Sequence, residues 1–179
     1  METADYYRKL GKIIISRERI QAKVRELAER ISRDFQGEEL ILICNLKGSF
    51  RLLADLVSYL TIPAVIDFVS FRSYDGLASR GKIHIAKDLD IDVAGKSILI
   101  VEDIVDAGAT LDYVINYFQK FKKPKDIKVC ALLDKPSRRK ADVPIHYRGF
   151  EIPDLFIVGY GLDYNEHFRE LNDIREYEE

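Results

Sequence analysis

Residues 98–110, Ile-Leu-Ile-Val-Glu-Asp-Ile-Val-Asp-Ala-Gly-Ala-Thr, place three carboxylates and a run of small residues directly after four apolar ones. Four apolar residues in a row predict a strand buried on both faces. Glu102 and Asp103 then mark the strand's carboxyl end and the rim of a sheet, where open α/β folds bind their ligands. Asp106 opens a loop of Ala107, Gly108 and Ala109, closed by Thr110. Small residues let backbone N–H groups approach an anion, and a helix starting at Thr110 would aim its positive end there. Adjacent carboxylates at the end of a buried strand are costly without partners, and vicinal hydroxyls are suitable ones. If the chain is still extended at this point, Glu102 and Asp103 face opposite ways and need not bind alike. The segment predicts a ligand with both hydroxyls and a phosphate. Capping of the loop by Asp106 is the plainer alternative for that residue.

The rest of the chain must supply a sheet to hold this segment. At 179 residues it suits one domain with an adequate core, and 47% hydrophobic with 32% charged residues is a soluble, globular composition. A formal charge of −2 offers no general attraction to nucleic acid or membrane. Neither a membrane span nor a signal-peptide core is visible, so a cytoplasmic setting is expected. Cys44 and Cys130 each lie inside an apolar run and read as reduced core thiols. His84, His146 and His167 lack the spacing of zinc ligands.

Ile20, Val24, Leu27 and Ile31 recur at helical spacing and predict a helix over about 17–35. A buried strand follows at 40–44, a turn at Leu46-Lys47-Gly48-Ser49, and a helical stripe of Phe50, Leu53, Leu56, Val57 and Leu60 up to Pro63. Strands are expected at 64–71, 83–85, 97–101, 127–133 and 155–158, with a helix through Leu111, Val114, Ile115 and Phe118. From Arg72 to about Gly81 the chain is polar and contains Gly76, the composition of a mobile loop. The basic run Arg138-Arg139-Lys140 reads as a solvated loop, without the aromatics that RNA contact would need. Strands alternating with helices give an α/β fold, a mostly parallel central sheet flanked by helices.

Val101 to Thr110 resembles the phosphoribosyl-pyrophosphate (PRPP) signature of the type I phosphoribosyltransferases. Leu46-Lys47-Gly48, Ser73-Tyr74, Lys135, and Phe156 to Glu166 with Arg169 narrow the resemblance to the 6-oxopurine branch, the hypoxanthine-guanine phosphoribosyltransferases. The likeness runs from about residue 10 to 175. It implies the type I phosphoribosyltransferase fold as one domain over 1–179, with a small hood from about 1–16 and 150–179 and a mobile active-site loop. One departure stands out: Ala107 occupies a position where the family usually has a hydroxyl, leaving Thr110 and backbone N–H groups as the phosphate cradle.

The resemblance implies transfer of phosphoribosyl from PRPP to N9 of hypoxanthine or guanine, with Mg²⁺ and release of pyrophosphate. Glu102 and Asp103 would hold the ribose hydroxyls directly or through the metal, and residues 106–110 the 5′-phosphate. Asp106 would be the general base against purine N7. Leu46, Lys47 and Gly48, across a non-proline cis peptide in the family, would meet pyrophosphate together with Arg169. Lys135 would donate to the purine O6, Phe156 would stack on the base, Ile157 would read its edge through the backbone, and Asp163 would both help bind the purine and ligate Mg²⁺. Ser73 and Tyr74 would belong to a lid that excludes water. A homo-oligomer, dimer or tetramer, is also implied. A xanthine-preferring enzyme and a non-catalytic PRPP-sensing or RNA-binding regulator on the same fold are the alternatives. The joint presence of Asp106, Lys135 and Asp163 favours catalysis.

Overall fold

The apolar runs form the centre of a six-stranded sheet in a computed structural model that describes residues 7–73 and 83–178. In chain order its elements are β1 (Leu10–Ile15), α1 (Arg17–Asp34), β2 (Leu40–Asn45), α2 (Phe50–Tyr59), β3 (Ala64–Ser73), β4 (Ile83–Lys87) and β5 (Ser97–Val105). Then come α3 (Ala109–Tyr117) with a π-helical turn at Phe118–Lys122, β6 (Asp126–Asp134), β7 (Tyr147–Glu151), β8 (Ile157–Val158) and β9 (Ile174–Tyr177). The sheet order is β4-β3-β2-β5-β6-β7. All its neighbours are parallel except β3 and β4. A second sheet, β1-β9-β8, joins the two ends of the chain.

Both faces of the large sheet are covered, as continuous apolar strands require. Leu42, Cys44, Leu99, Val101 and Cys130 pack against Ile20, Val24, Leu27 and Ile31 of α1 and Leu52, Leu53 and Leu56 of α2. On the other face Ile41, Ile43, Ile98, Ile100 and Val129 meet Leu111 and Val114 of α3 and Phe118. Ser16 caps α1, its hydroxyl accepting from Arg19 N–H at 3.4 Å. Cys44 and Cys130 are free and buried, and burial pushes both thiols up to about 12. Such thiols stay protonated and inert.

Several expectations are corrected. The strand expected to stop at 101 runs on to Val105, because β6 stays paired with it through Leu133 and Asp134 after β2 has ended. Glu102 and Asp103 therefore lie inside β5 and not at its end. Likewise β3 continues to Ser73, held by β4 through Arg72–His84 and Ser73–Ile83 pairs, so the first two residues of the expected loop are strand. Tyr74 and the remainder of the expected loop lie outside the described residues. The strand at 155–158 shrinks to Ile157–Val158, since Leu155 N–H turns back to the Pro153 carbonyl. Finally β1, β7 and β9 carry no long apolar run. In β7 the close pairing with β6 uses Gly149, where a Cβ would stand 2.3 Å from the Leu132 carbonyl oxygen.

Candidate active site

The carboxyl ends of β2 and β5 and the start of α3 enclose a cavity of about 360 Å³. It is lined by Asn45, Glu102, Asp103 and the whole of the Asp106–Thr110 loop. The loop turns through Gly108, whose φ of 85° suits glycine and which precedes α3 directly. The helix thus begins at Ala109, one residue before Thr110. The Ala107 carbonyl accepts from Lys140 N–H at 3.0 Å and Ala141 N–H at 3.1 Å, which fixes the loop to the segment after β6.

Glu102 and Asp103 have different neighbours, as an extended chain requires. Glu102 is buried, and its carboxylate accepts from the Asn45 amide at 3.1 and 3.3 Å. Burial, then the Asp103 charge, pushes its carboxyl well above the ordinary range. Asp103 lies against the turn after β2: a Cβ on Gly48 would fall 1.5 Å from its Oδ2. Its Oδ1 accepts from Ile104 N–H at 2.9 Å. Burial raises its carboxyl to about 6, against the opposing pull of backbone N–H donors and Arg169. The small residue expected to admit an external anion thus first admits a carboxylate of the chain itself.

The turn Leu46-Lys47-Gly48 contains a cis peptide between Leu46 and Lys47. The loop after β8 packs on this turn. A Cβ on Gly161 would lie 2.0 Å from the Gly48 carbonyl oxygen, and Lys47 Nζ donates to Glu166 at 2.9 Å. Arg169 donates to the Gly161 carbonyl at 2.7 Å and pairs with Asp163 at 2.8 Å and Glu166 at 3.2 Å. Leu46, Lys47, Gly48, Asp163 and Arg169 are therefore one cluster beside Asp103.

A second cluster forms around Asp106. Arg138 bridges the Asp106 carboxylate at 2.7 Å and the Asp154 carboxylate at 3.2 Å. Lys135 is buried and its Nζ donates to the Leu155 carbonyl at 2.6 Å. Phe156 follows, 42% exposed, its ring edge-on to Tyr164 at 5.8 Å, and then buried Ile157 in β8. The basic run is solvated at Arg138 and Lys140 but not at Arg139. Arg139 pairs with buried Asp134 and is itself largely buried, while Arg138 faces the site. Sequence reasoning passed over Asn45, Arg138 and Arg139. Asn45 did carry a signal, as the polar residue ending an otherwise apolar strand. Of the lid pair, Ser73 ends β3 and Tyr74 lies outside the described residues.

Among the described residues no three His, Cys, Asp or Glu side chains converge as a ready-made metal cage. The carboxylates offer hard oxygen donors singly or in pairs. Among the same residues no helix is long and apolar enough to cross a membrane.

Fold and site together define an α/β protein with a buried Glu102 beside a partly buried Asp103, and a cis-peptide turn at the carboxyl edge of its sheet. Residues 14–165 match the family described as phosphoribosyl transferase domain. The hypoxanthine-guanine phosphoribosyltransferase of Bacillus subtilis is 45% identical over 163 residues, 90% of each chain. A crystal structure of a hypoxanthine-guanine phosphoribosyltransferase from Bacillus anthracis superposes with a TM-score of 0.89 at 45% identity, covering 96% of this chain and 99% of that one. A hypoxanthine phosphoribosyltransferase from Staphylococcus aureus gives a TM-score of 0.91 at 37% identity, covering 99% and 97%. The chain belongs to the phosphoribosyltransferase family, and within it to the hypoxanthine-guanine phosphoribosyltransferases.

The raised carboxyls carry a stability signature with a definite sign. A native Asp103 at about 6 binds its proton more tightly than the unfolded chain does, so its contribution to stability falls as pH rises from about 4 through 6. Asp103→Asn should therefore raise the melting temperature of the metal-free protein at pH 8, with a gain that shrinks towards pH 4. Equal gains at both pH values, or a loss at pH 8, would contradict the burial argument.

Proposed function

We propose that this chain transfers the 5-phosphoribosyl group of PRPP to N9 of hypoxanthine or guanine, giving IMP or GMP and pyrophosphate, a purine-salvage reaction. The observation that carries the reading is the meeting, at one sheet edge, of the carboxylate pair and loop with the Lys47–Asp163–Arg169 and Lys135–Phe156 clusters, in a chain 45% identical to an enzyme of that name. No feature favours xanthine, or a regulator, over this reading.

In the reaction the bond from ribose C1 to pyrophosphate breaks as the bond to N9 forms, through a transition state with positive charge on the sugar. The protein's part is to hold ribose, neutralise the leaving group and activate the base. Glu102 and Asp103 would take the 2′ and 3′ hydroxyls, whose donors relieve one buried and one partly buried carboxylate. Backbone N–H groups of 106–110 and the Thr110 hydroxyl would take the 5′-phosphate at the start of α3. Lys47, Gly48 and Arg169 would meet the pyrophosphate. Lys47 is half-exposed, and its surface pair with Glu166 is worth about 0–1 kcal/mol, so a polyanion can displace that carboxylate. Arg169 is mostly buried and would meet the polyanion from its pair with Asp163.

On the other side Asp106 would take or share the proton at N7 as N9 becomes nucleophilic. Its pairing with Arg138 must loosen for that contact. Lys135 has three donors and can keep the Leu155 carbonyl while giving one to O6. Adenine presents an amino donor there and would leave the ammonium unmatched. Phe156 would stack on the ring and the Ile157 backbone would read its edge. Ser73 and Tyr74 would belong to the covering lid.

The donor set fits Mg²⁺, which needs one or two carboxylates and otherwise takes phosphate oxygens and water. Asp163, and Glu102 with Asp103 on the ribose side, would hold it. When bound it would supply charge neutralisation for the pyrophosphate leaving group. The sheet β1-β9-β8 would act as the hood of a single domain. A homo-oligomer of two or four chains and a cytoplasmic setting complete the reading, with no nucleic-acid or membrane partner.

Two variants test it. Asp106→Asn should lower kcat by roughly 10²–10⁴-fold while PRPP affinity changes little; a comparable kcat would remove Asp106 as the base. Lys135→Ala should erode the preference for hypoxanthine over adenine by about tenfold or more in kcat/KM. Unchanged discrimination against adenine would overturn the O6 assignment.

A further inference from the structure

Arg51 stands where a cation is out of place. It lies in the first turn of α2, which holds no acidic residue, although a helix N-terminus favours anions. Its guanidinium is committed elsewhere, to the loop after β8. Nη1 donates to the carbonyls of Glu170 at 2.7 Å, Leu171 at 2.8 Å and Arg169 at 3.4 Å, and Nη2 donates to Asn172 Oδ1 at 2.7 Å. The same group stacks over Tyr160, 5.2 Å from the ring centroid. One turn further along α2, Asp55 accepts from the Tyr160 hydroxyl at 2.6 Å.

The loop held in this way has little regular structure to hold itself. Tyr160, Asn165, Glu166 and Phe168 all adopt left-handed backbone, as do Gly159 and Gly161. Two backbone bonds close the loop at its base, Gly161 N–H to the Arg169 carbonyl at 3.1 Å and Tyr160 N–H to the Leu171 carbonyl at 2.9 Å. Arg51 engages those same two carbonyls from the side. From this closure Arg169 reaches Asp163, and Gly161 rests on Gly48. Arg51 follows Gly48 by three residues, so one side chain joins the two segments that flank Asp103.

We infer that Arg51 is a positioning residue for the pyrophosphate side of the site: by gathering the carbonyls of 169–171 it sets Arg169 and Asp163 against the Leu46–Gly48 turn. The inference rests on the proposed function for the role of those two residues. The requirement is for a guanidinium. A lysine offers three donors on a flexible stem but neither the planar fork nor the stacking on Tyr160.

The test is steady-state kinetics of Arg51→Met and Arg51→Lys in the full chain, with hydrogen exchange of the 160–172 amides. Misplacement of Arg169 should raise KM for PRPP roughly ten- to hundredfold in the methionine variant. KM for hypoxanthine should stay within about twofold, and the lysine variant should fall between. Amide exchange over 160–172 should quicken while that of β5 does not. Equal rises in both KM values, a fall in kcat with PRPP KM unchanged, or wild-type exchange over 160–172 would overturn the inference. Should the methionine variant not fold, the lysine variant must show the same split, and its absence there overturns the inference too. If the wild-type chain turns over no base with PRPP, the proposed function fails, while the exchange comparison still decides whether Arg51 holds the loop.

Discussion

The extension of β5 beyond β2 is the constraint on which the site depends. Through Val101 the strand is flanked on both sides and apolar; past it, β6 alone continues, and two carboxylates enter where the neighbour has stopped. Buried charge must be matched or neutralised. The end of β2 supplies the Asn45 amide to Glu102, and the turn that follows supplies room for Asp103 at Gly48. Gly161 then packs on Gly48, which brings in the loop of Asp163 and Arg169. Three segments far apart in sequence are thereby stacked through contacts that no side chain larger than hydrogen permits.

The two halves of the site are built differently. On the side of the carboxylate pair and the Leu46–Gly48 turn the framework is backbone against backbone, with cations arranged around it. Around Asp106 it is side chain to chain, through Lys135 to the Leu155 carbonyl and Arg138 to Asp154. In both halves a cation already has a carboxylate partner: Lys47 with Glu166, Arg169 with Asp163, Arg138 with Asp106. Under the proposed reading, ligand oxygens and protons exchange into pairs that exist beforehand, so little charge is left uncompensated at any stage.

Much of this was legible in the residues. Periodicity located α1 and the central strands because a sheet buried on both faces demands unbroken apolar runs, and the carboxylates and glycines after them marked the site. The edge and hood strands were not, since β7 and β9 bury only part of each strand and alternate weakly. Strand length was misjudged at Glu102 because an apolar run is the signal of a buried strand, whereas Glu102 is buried and polar, its carboxylate met by the Asn45 amide. Arg138 and Arg139 looked like a solvated run because nothing local says that Asp106, Asp134 and Asp154 stand opposite them. Arg51 was invisible for the same reason, its partners being carbonyls more than a hundred residues away.

The central claim is catalysis of phosphoribosyl transfer to a 6-oxopurine. A spectrophotometric assay of the purified chain with PRPP, Mg²⁺ and each of hypoxanthine, guanine, xanthine and adenine addresses it most directly. The account predicts turnover of hypoxanthine or guanine to the nucleoside monophosphate, with adenine refused. Absence of turnover with all four bases, or a preference for adenine, would contradict it.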